Sequence, residues 1–278
     1  LMQMIYADFT TISKDTAAYQ KAMKDMAIYL RNRKTDPESA FSDSVTVTFR
    51  GHHPRFKLLT EEDLQKVSND RILSIIQEQT SAARNYTFIF VGNYNDSTIR
   101  PLIEQYLASL PNRKELPQGP FIKTWLKDDA YCHFERQMVT PKAVVNMNWF
   151  TESIPYTLEN YIKVQTTCEV LNLFYNQIVR EENSATYGCY ADYFLTRGEN
   201  DEYQIGFSAD CEMQPEKCDS VLTLMKKTFF SLAENIDETI FKNAKESLLK
   251  SLDELEKTKN GFWLDIIWKK EDRGIDMF

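Results

Sequence analysis

Glycine and histidine are both scarce in this sequence. Its 278 residues include only eight glycines and three histidines, whereas proteins average about 7% glycine. Neither a glycine-rich phosphate loop nor a Gly-x-Ser-x-Gly turn occurs, which excludes the common nucleotide-binding and serine-hydrolase motifs. His52, His53 and His133 have none of the spacings of a catalytic zinc site, which needs about three protein ligands. We therefore find no complete catalytic or metal-binding motif.

Long apolar runs and an excess of positive charge are absent as well. No run approaches the roughly 20 apolar residues that cross a bilayer, so no transmembrane span is predicted. The chain carries 41 acidic and 33 basic residues, a net charge of −8, which disfavours binding to nucleic acid. The first residues contain no initiator methionine and follow an amphipathic helical pattern, so we expect a longer parent protein.

Five cysteines exclude a fully paired set of intrachain disulfides, because their number is odd. No Cys-x-x-Cys pair occurs, which argues against a zinc ribbon or a thioredoxin-like motif. Cys168, Cys189 and Cys211 fall at apolar positions of predicted elements. We expect these three to be buried thiols, which pack as small hydrophobic groups.

The first part of the chain alternates helical and β-rich patterns. Apolar spacing predicts a helix over residues 15–33, and Thr60 with Asp63 forms a capping pair for another. Residues 45–49 are predicted as a loop or weak strand, and residues 86–91 as a buried strand. A further helix ends at Leu110, with Pro101 in its first turn.

Proline, glycine and polar residues then cluster between Pro111 and Pro120, a composition typical of a linker. We predict a domain at residues 1–112, a linker at 113–122 and a second domain at 123–278. The first domain is expected to have the same α+β arrangement as the second, but without its opening strands.

The second part begins with predicted strands at 131–139 and 143–150. A long helix starts at Thr157 and ends near Arg180, and alternation predicts a hairpin of 187–195 with 202–211. Helices follow Pro215 and Asp237, and a short one surrounds Trp263. This order predicts an α+β fold in which helices pack on one face of a largely antiparallel sheet.

The junction between the long helix and the hairpin carries a distinctive motif. Arg180-Glu181-Glu182 ends the helix, and Tyr187-Gly188 opens the strand. In one interpretation Arg180 stabilises the carboxyl end of the helix through its dipole and Tyr187 is half-buried packing. Both side chains are also strong hydrogen-bond donors.

This motif resembles the substrate-binding motif in the C-terminal half of the pitrilysin/insulinase family of zinc metallopeptidases. The interval of seven residues between Arg180 and Tyr187 matches that family. Residues 88–93 with the helix that ends in Leu110-Pro111, the loop at 51–56, and Trp263-Leu264 resemble further family segments in the same order. Together these similarities extend over nearly the whole chain.

The resemblance implies two metallohydrolase-like domains, the first incomplete. It also implies that zinc lies in an N-terminal half of the parent protein, so that this chain has no cofactor and no catalytic residue of its own. Arg180 and Tyr187 are then substrate-binding residues that contact the peptide across an enclosed chamber. Peptide substrate and the N-terminal half are the expected partners, and the parent is expected to be a zinc endopeptidase.

Two functions remain open at this stage. The first is the substrate-clamping half of the peptidase, inactive alone. The second is a non-catalytic scaffold or peptide-binding subunit of the same fold, as in respiratory-complex core subunits. Bacterial members of the family are often envelope proteins, so the resemblance implies a periplasmic or cell-envelope location.

Overall fold

The computed structural model divides the chain into two compact units. The first unit comprises Leu1–Asp36 and Leu58–Phe121, and the second comprises Pro37–Lys57 and Ile122–Phe278. The chain passes between the units three times, and the third passage, between Phe121 and Ile122, falls within the predicted linker at 113–122. The structure describes residues 1–112, 119–124, 126, 128–151, 153–177, 179, 186–198, 202–257 and 260–277.

Helices form the described part of the first unit. These are α1 (Met2–Thr10), α2 (Thr16–Thr35), α4 (Glu61–Leu64), α5 (Asn69–Thr80) and α6 (Asp96–Leu102). The predicted helix at 15–33 is confirmed as α2, which Asp15 caps by accepting a hydrogen bond from the Ala18 N–H. The predicted capping pair is also confirmed, since Thr60 and Asp63 each bond the other's backbone N–H.

Two predictions in the first unit are wrong. Residues 86–91 form no strand, because no described residue pairs with them in a ladder. In the described part of the first unit, the bridge between Ala82 and Asn112 is isolated. Pro101 lies inside α6 rather than in its first turn. A proline supplies no backbone N–H for the helical ladder, and a π-helical turn, Ile103–Leu107, follows directly.

Residues 45–49 form part of a helix, α3 (Pro37–Phe49), rather than the predicted loop or strand. Their β-branched residues favour strands locally, but Pro37 sits at the start of the helix, where proline is favourable. Tertiary contacts within the second unit then stabilise α3. Phe49 packs edge-on against Phe194 with ring centroids 4.8 Å apart.

An antiparallel sheet forms the centre of the second unit. Its strands are β1 (Ala143–Phe150), β2 (Ile154–Pro155), β3 (Thr186–Arg197) and β4 (Glu202–Met213). Both β1 and β2 pair with β4, and β3 pairs with β4 over its whole length. The predicted strand at 143–150 and the predicted hairpin are confirmed. Residues 131–139 form no strand, so that prediction is wrong.

Two helices, α7 (Leu158–Tyr175) and α8 (Cys218–Glu234), pack on one face of this sheet, as the sequence predicts. A third helix, α9 (Glu238–Lys257), packs on α7 through Ile240 and Ala244, and α10 (Asn260–Arg273) follows it. Leu171 and Tyr175 of α7 and Met225 of α8 are fully buried against the sheet. Trp149 of β1 stacks on Phe229 of α8, with centroids 3.9 Å apart. This face is therefore the apolar core of the unit.

Candidate functional site

The predicted motif lies where α7 leads into β3. Arg180 falls outside the described residues. The structure describes the backbone of Tyr187, which is the second residue of β3. The roles of both residues in binding substrate stay predictions.

A break in the β3–β4 register marks the position of Tyr187. Thr186 pairs with Met213 and Gly188 with Glu212, so two steps along β3 match one step along β4. Such a bulge leaves one residue out of the regular ladder. The backbone of Tyr187 occupies that position in β3.

Asn172 ties α7 to β3 close to this bulge. Its Nδ2 donates to the backbone oxygen of Ala191 at 2.9 Å, and its Oδ1 accepts from the Ala191 N–H at 2.6 Å. The thiol of Cys168 also donates to the Ala191 oxygen at 3.5 Å. These bonds satisfy the backbone of Ala191 on the side of β3 that faces away from β4. They fix α7 against β3, the strand whose second residue is Tyr187.

Sequence reasoning missed Asn172. The one available signal was an amide residue between Leu171 and Leu173, inside a helix whose neighbouring positions are apolar. A buried amide needs hydrogen-bond partners, but nothing in the sequence identifies Ala191 as the partner.

The sheet face opposite α7 and α8 is polar towards the end that carries Tyr187. Its side chains come from all three long strands, and we call them the polar face: Asn146, Asn148, Tyr190, Asp192, Ser208, Asp210 and Glu212. Asn146 Nδ2 donates to Asp210 Oδ1 at 2.9 Å, and Asn148 Nδ2 donates to Asn146 Oδ1 at 2.5 Å. Tyr190 is 61% exposed. The polar face thus combines an ordered amide–carboxylate chain with accessible groups.

The electrostatics of the polar face are set by Asp210. Burial raises the pKa of this carboxyl, the Asn146 hydrogen bond opposes the rise, and the charge of Asp192 adds to it. The charge of Asp210 in turn raises the pKa of Tyr190, with a smaller contribution from burial. Asp210 therefore makes its surroundings unfavourable for further negative charge.

A cation lies beside this face. Lys142 Nζ contacts Glu212 at 3.0 Å and Glu38 of α3 at 2.7 Å. These hydrogen bonds raise the pKa of Lys142, which stays positively charged at neutral pH. Since Glu212 pairs with Gly188, the residue directly after Tyr187, the ion pair lies at the bulge.

The far end of the same sheet face is covered by other parts of the unit. Gln204 is 1% exposed, and its amide exchanges two hydrogen bonds with the backbone of Leu126, at 2.9 and 3.0 Å. The ring of Phe194 lies over Gly206, where a Cβ atom would stand 2.0 Å from it. Tyr190, which is 61% exposed, therefore lies on the less covered part of this face, towards Tyr187, where Glu38 of α3 also approaches through Lys142.

Among the three histidines, His53 has a local structural role. Nδ1 of His53 accepts from the Arg55 N–H at 3.2 Å and caps a short 3₁₀ turn, Pro54–Phe56. Within the described ranges, no three His, Cys, Asp or Glu side chains are grouped so that they could hold a metal ion. These residues do not fit a zinc site. None of the described helices is long and apolar enough to span a membrane.

A groove of about 480 Å³ opens in the first unit. Its lining is mainly apolar and includes Met2, Phe90, Val91, Ile99 and Leu102. All of its lining residues belong to the first unit.

The fold places the chain in a class. The E. coli periplasmic protease PqqL matches 92% of this chain with a TM-score of 0.77 and 20% identity. The ferredoxin protease FusC, solved with Arabidopsis ferredoxin, also matches 92%, with a TM-score of 0.69 and 17% identity. At these identities the similarity shows the fold alone, which is that of peptidase domains. This chain spans 28% of the length of each of these proteins.

The chain belongs to the peptidase M16 inactive domain family, whose sequence profile matches residues 66–248. A solved M16 inactive domain from Pseudomonas fluorescens agrees with this assignment. It matches 98% of the chain at a TM-score of 0.67 and 15% identity, and the chain spans 66% of its length. No curated protein sequence matches the chain. The resemblance to the non-zinc half of the pitrilysin/insulinase family is thereby confirmed.

Proposed function

We propose that this chain is the C-terminal, substrate-clamping half of a zinc-dependent endopeptidase that degrades peptides in an enclosed chamber. The observation that carries the proposal is the match to the M16 inactive domain, within which the Arg180–Tyr187 interval of that family recurs. The zinc is supplied by an N-terminal half of the parent protein. This chain alone is inactive.

Arg180 and Tyr187 hold the substrate in this proposal. A guanidinium and a phenol are both hydrogen-bond donors, and a peptide carbonyl is an acceptor. Donors aimed at the carbonyl oxygen stabilise the negative charge that develops on it during hydrolysis. The bulge at Tyr187 and the Asn172 bonds to β3 support this role, because a donor helps only when its position is fixed.

The partners follow from the same proposal. Peptide is the substrate, the N-terminal half is the second component, and residues 113–122 are the linker between this chain's two domains. PqqL is described as periplasmic, which supports a periplasmic or cell-envelope location for this protein. The net charge of −8 gives no support to a nucleic-acid partner.

The test uses the full-length protein and cleavage of a peptide. Tyr187→Phe removes one donor and keeps the ring, so kcat is expected to fall by roughly 10- to 1000-fold while the melting temperature stays unchanged. Arg180→Ala is expected to raise KM as well, because the ground-state contact with the peptide is also lost. The matched control is Tyr131→Phe, at a tyrosine that is 86% exposed, and its kinetics should equal those of the wild type.

The opposite result would favour packing. If both variants melt several degrees lower but keep normal kcat/KM, Arg180 and Tyr187 are structural residues. If the full-length protein with zinc binds peptide but cleaves none, the scaffold or peptide-binding function replaces the proposed one.

A further inference from the structure

Two buried cysteines face each other across the hairpin. Cys189 of β3 and Cys211 of β4 are direct partners in the antiparallel ladder. They are 2% and 1% exposed, and both belong to the apolar core under α7 and α8. The two thiols share a hydrogen bond. The fold therefore brings together two groups that are 22 residues apart in the sequence (211 − 189).

The backbone geometry of this pair suits a covalent link. Residues directly opposite in an antiparallel ladder have Cα atoms about 4.5–5.5 Å apart. Disulfide-linked cysteines have Cα atoms about 4.4–6.8 Å apart. Their side chains also lie on the same side of the sheet, in one core cluster, so the two sulfur atoms face the same space.

The remaining cysteines are placed differently. Cys168 directs its thiol to the backbone oxygen of Ala191. Cys132 is exposed, and Cys218 lies partly buried at the start of α8. None of these three is a ladder partner of another cysteine in the described sheet. The odd total thus resolves into one matched pair and three separate thiols.

We propose that Cys189 and Cys211 form a cross-strand disulfide when the chain folds in an oxidising environment. The oxidant is a small disulfide such as oxidised glutathione. One cysteine thiolate attacks it, which breaks its S–S bond and releases one glutathione thiol. The other thiolate then attacks the protein sulfur of the mixed disulfide, forms the new S–S bond and releases the second glutathione. The protein gives up two hydrogens and the oxidant gains them.

The disulfide forms while the chain folds, and not after the native structure is complete. The hydrogen bond between the thiols, together with burial, raises the pKa of Cys189, so the reactive thiolate is scarce in the native state. Tyr175 of α7 also lies beside both thiols. Once α7 and α8 cover the sheet, oxidant has no access to the pair. The environment in which the chain folds therefore decides which form it keeps.

The Cys189–Cys211 disulfide would lie close to Tyr187, the proposed substrate-binding residue. Cys189 lies two residues after Tyr187, directly beyond the bulge. A disulfide at this point joins the start of β3 to the end of β4. It would restrict the segment that carries Tyr187, whether or not Tyr187 binds peptide, so this inference does not depend on the proposed function.

The experiment refolds the unfolded, reduced chain with oxidised and reduced glutathione, and in parallel with a phosphine reductant. The oxidised product is expected to be lighter by about 2 Da. After unfolding, it should show three alkylatable thiols instead of the five in the sequence. Peptide mapping should link Cys189 to Cys211. The melting temperature should rise by roughly 5–10 °C, because the cross-link restricts the unfolded chain.

Two controls make the result decisive. Cys168→Ala is a buried cysteine variant that should still form the link, whereas Cys189→Ala should keep all its thiols. The reduced native protein, exposed to the same oxidant, should keep its buried pair unoxidised over hours. Five free thiols in a correctly refolded oxidised product would overturn the proposal. So would a link through Cys132, Cys168 or Cys218, or an oxidised product without native near-UV circular dichroism. Rapid oxidation of the native pair would overturn the assignment of the reaction to folding.

Discussion

The two faces of the second unit's sheet are covered to different extents. Along the helix-covered face, Ile205, Ala209 and Met213 of β4 are each 2% exposed or less. On the opposite face, Gln204 at one end of β4 is buried, whereas Asp210 towards the other end is only half-buried. One side of β4 therefore faces the apolar core. On its other side the exposure of the side chains increases from Gln204 to Asp210.

This difference explains where a functional site can form. Apolar residues packed on both sides would maximise stability, but they would leave no polar group for a ligand. The polar face instead keeps amides, carboxylates and a tyrosine near the bulge at Tyr187. The packing of the helix-covered face stabilises the sheet, so the polar groups near the bulge need not contribute to stability.

The largest effect is expected from breaking the helix-covered face. Leu171→Ala removes a fully buried side chain, and the cavity it leaves should cost about 2–5 kcal/mol of unfolding free energy. Leu264→Ala on α10 is the matched control, since Leu264 is 46% exposed and its truncation should cost about 0.5 kcal/mol or less. Urea denaturation measures both. Equal losses would show that the helix-covered face is not the stabilising core.

A smaller loss is expected from uncovering the far end of the opposite face. Gln204→Ala deletes two hydrogen bonds and leaves the backbone N–H and C=O of Leu126 without these partners. The expected cost is about 2 kcal/mol. The control is Gln165→Ala, which removes hydrogen bonds to the Tyr161 and Tyr193 side chains but none to Leu126, and should cost about 1–2 kcal/mol. Hydrogen exchange at Leu126 should accelerate in the first variant alone. An unchanged rate there would contradict the role of Gln204 as an anchor.

The same contrast separates what the sequence predicts from what it does not. The hairpin was predictable because β4 alternates apolar and polar residues over its whole length. Alternation with a period of two residues indicates a β-strand with one buried face. The predicted strand at 86–91 has similar β-rich composition, but a strand requires a ladder partner, which composition does not provide. For α3, β-branched residues favoured extended structure and packing within the unit favoured the helix.

The candidate site was partly predictable for a related reason. Tyr187 and the start of its strand could be found from a motif that is continuous in the sequence. Asn172 and Gln204 could not, because each bonds the backbone of a segment distant in the chain, Ala191 and Leu126 respectively. Bonds of that kind depend on topology, and topology is visible only in the folded chain.

The smallest expected effect tests the electrostatics of the polar face. Because the pKa of Asp210 is raised in the folded state, folding favours the protonated carboxyl. The unfolded chain releases this proton near pH 4, whereas the folded chain keeps it to a higher pH. The contribution of Asp210 to stability therefore declines as pH rises from about 4 through the folded pKa, and is constant above it.

Asp210→Asn should remove that decline. An asparagine keeps an oxygen that can accept from Asn146 and has no charge to bury. Its melting temperature should equal that of the wild type below about pH 4 and exceed it by roughly 1–3 °C at neutral pH. Glu159→Gln supplies a control of opposite sign, because the Lys163 hydrogen bond lowers the pKa of Glu159. The melting temperature of this variant should fall below that of the wild type as pH rises. Parallel melting curves of Asp210→Asn and wild type between pH 3 and 8 would contradict the raised pKa. The polar face would then be as well solvated as any exposed surface, and its contrast with the helix-covered face would rest on shape alone.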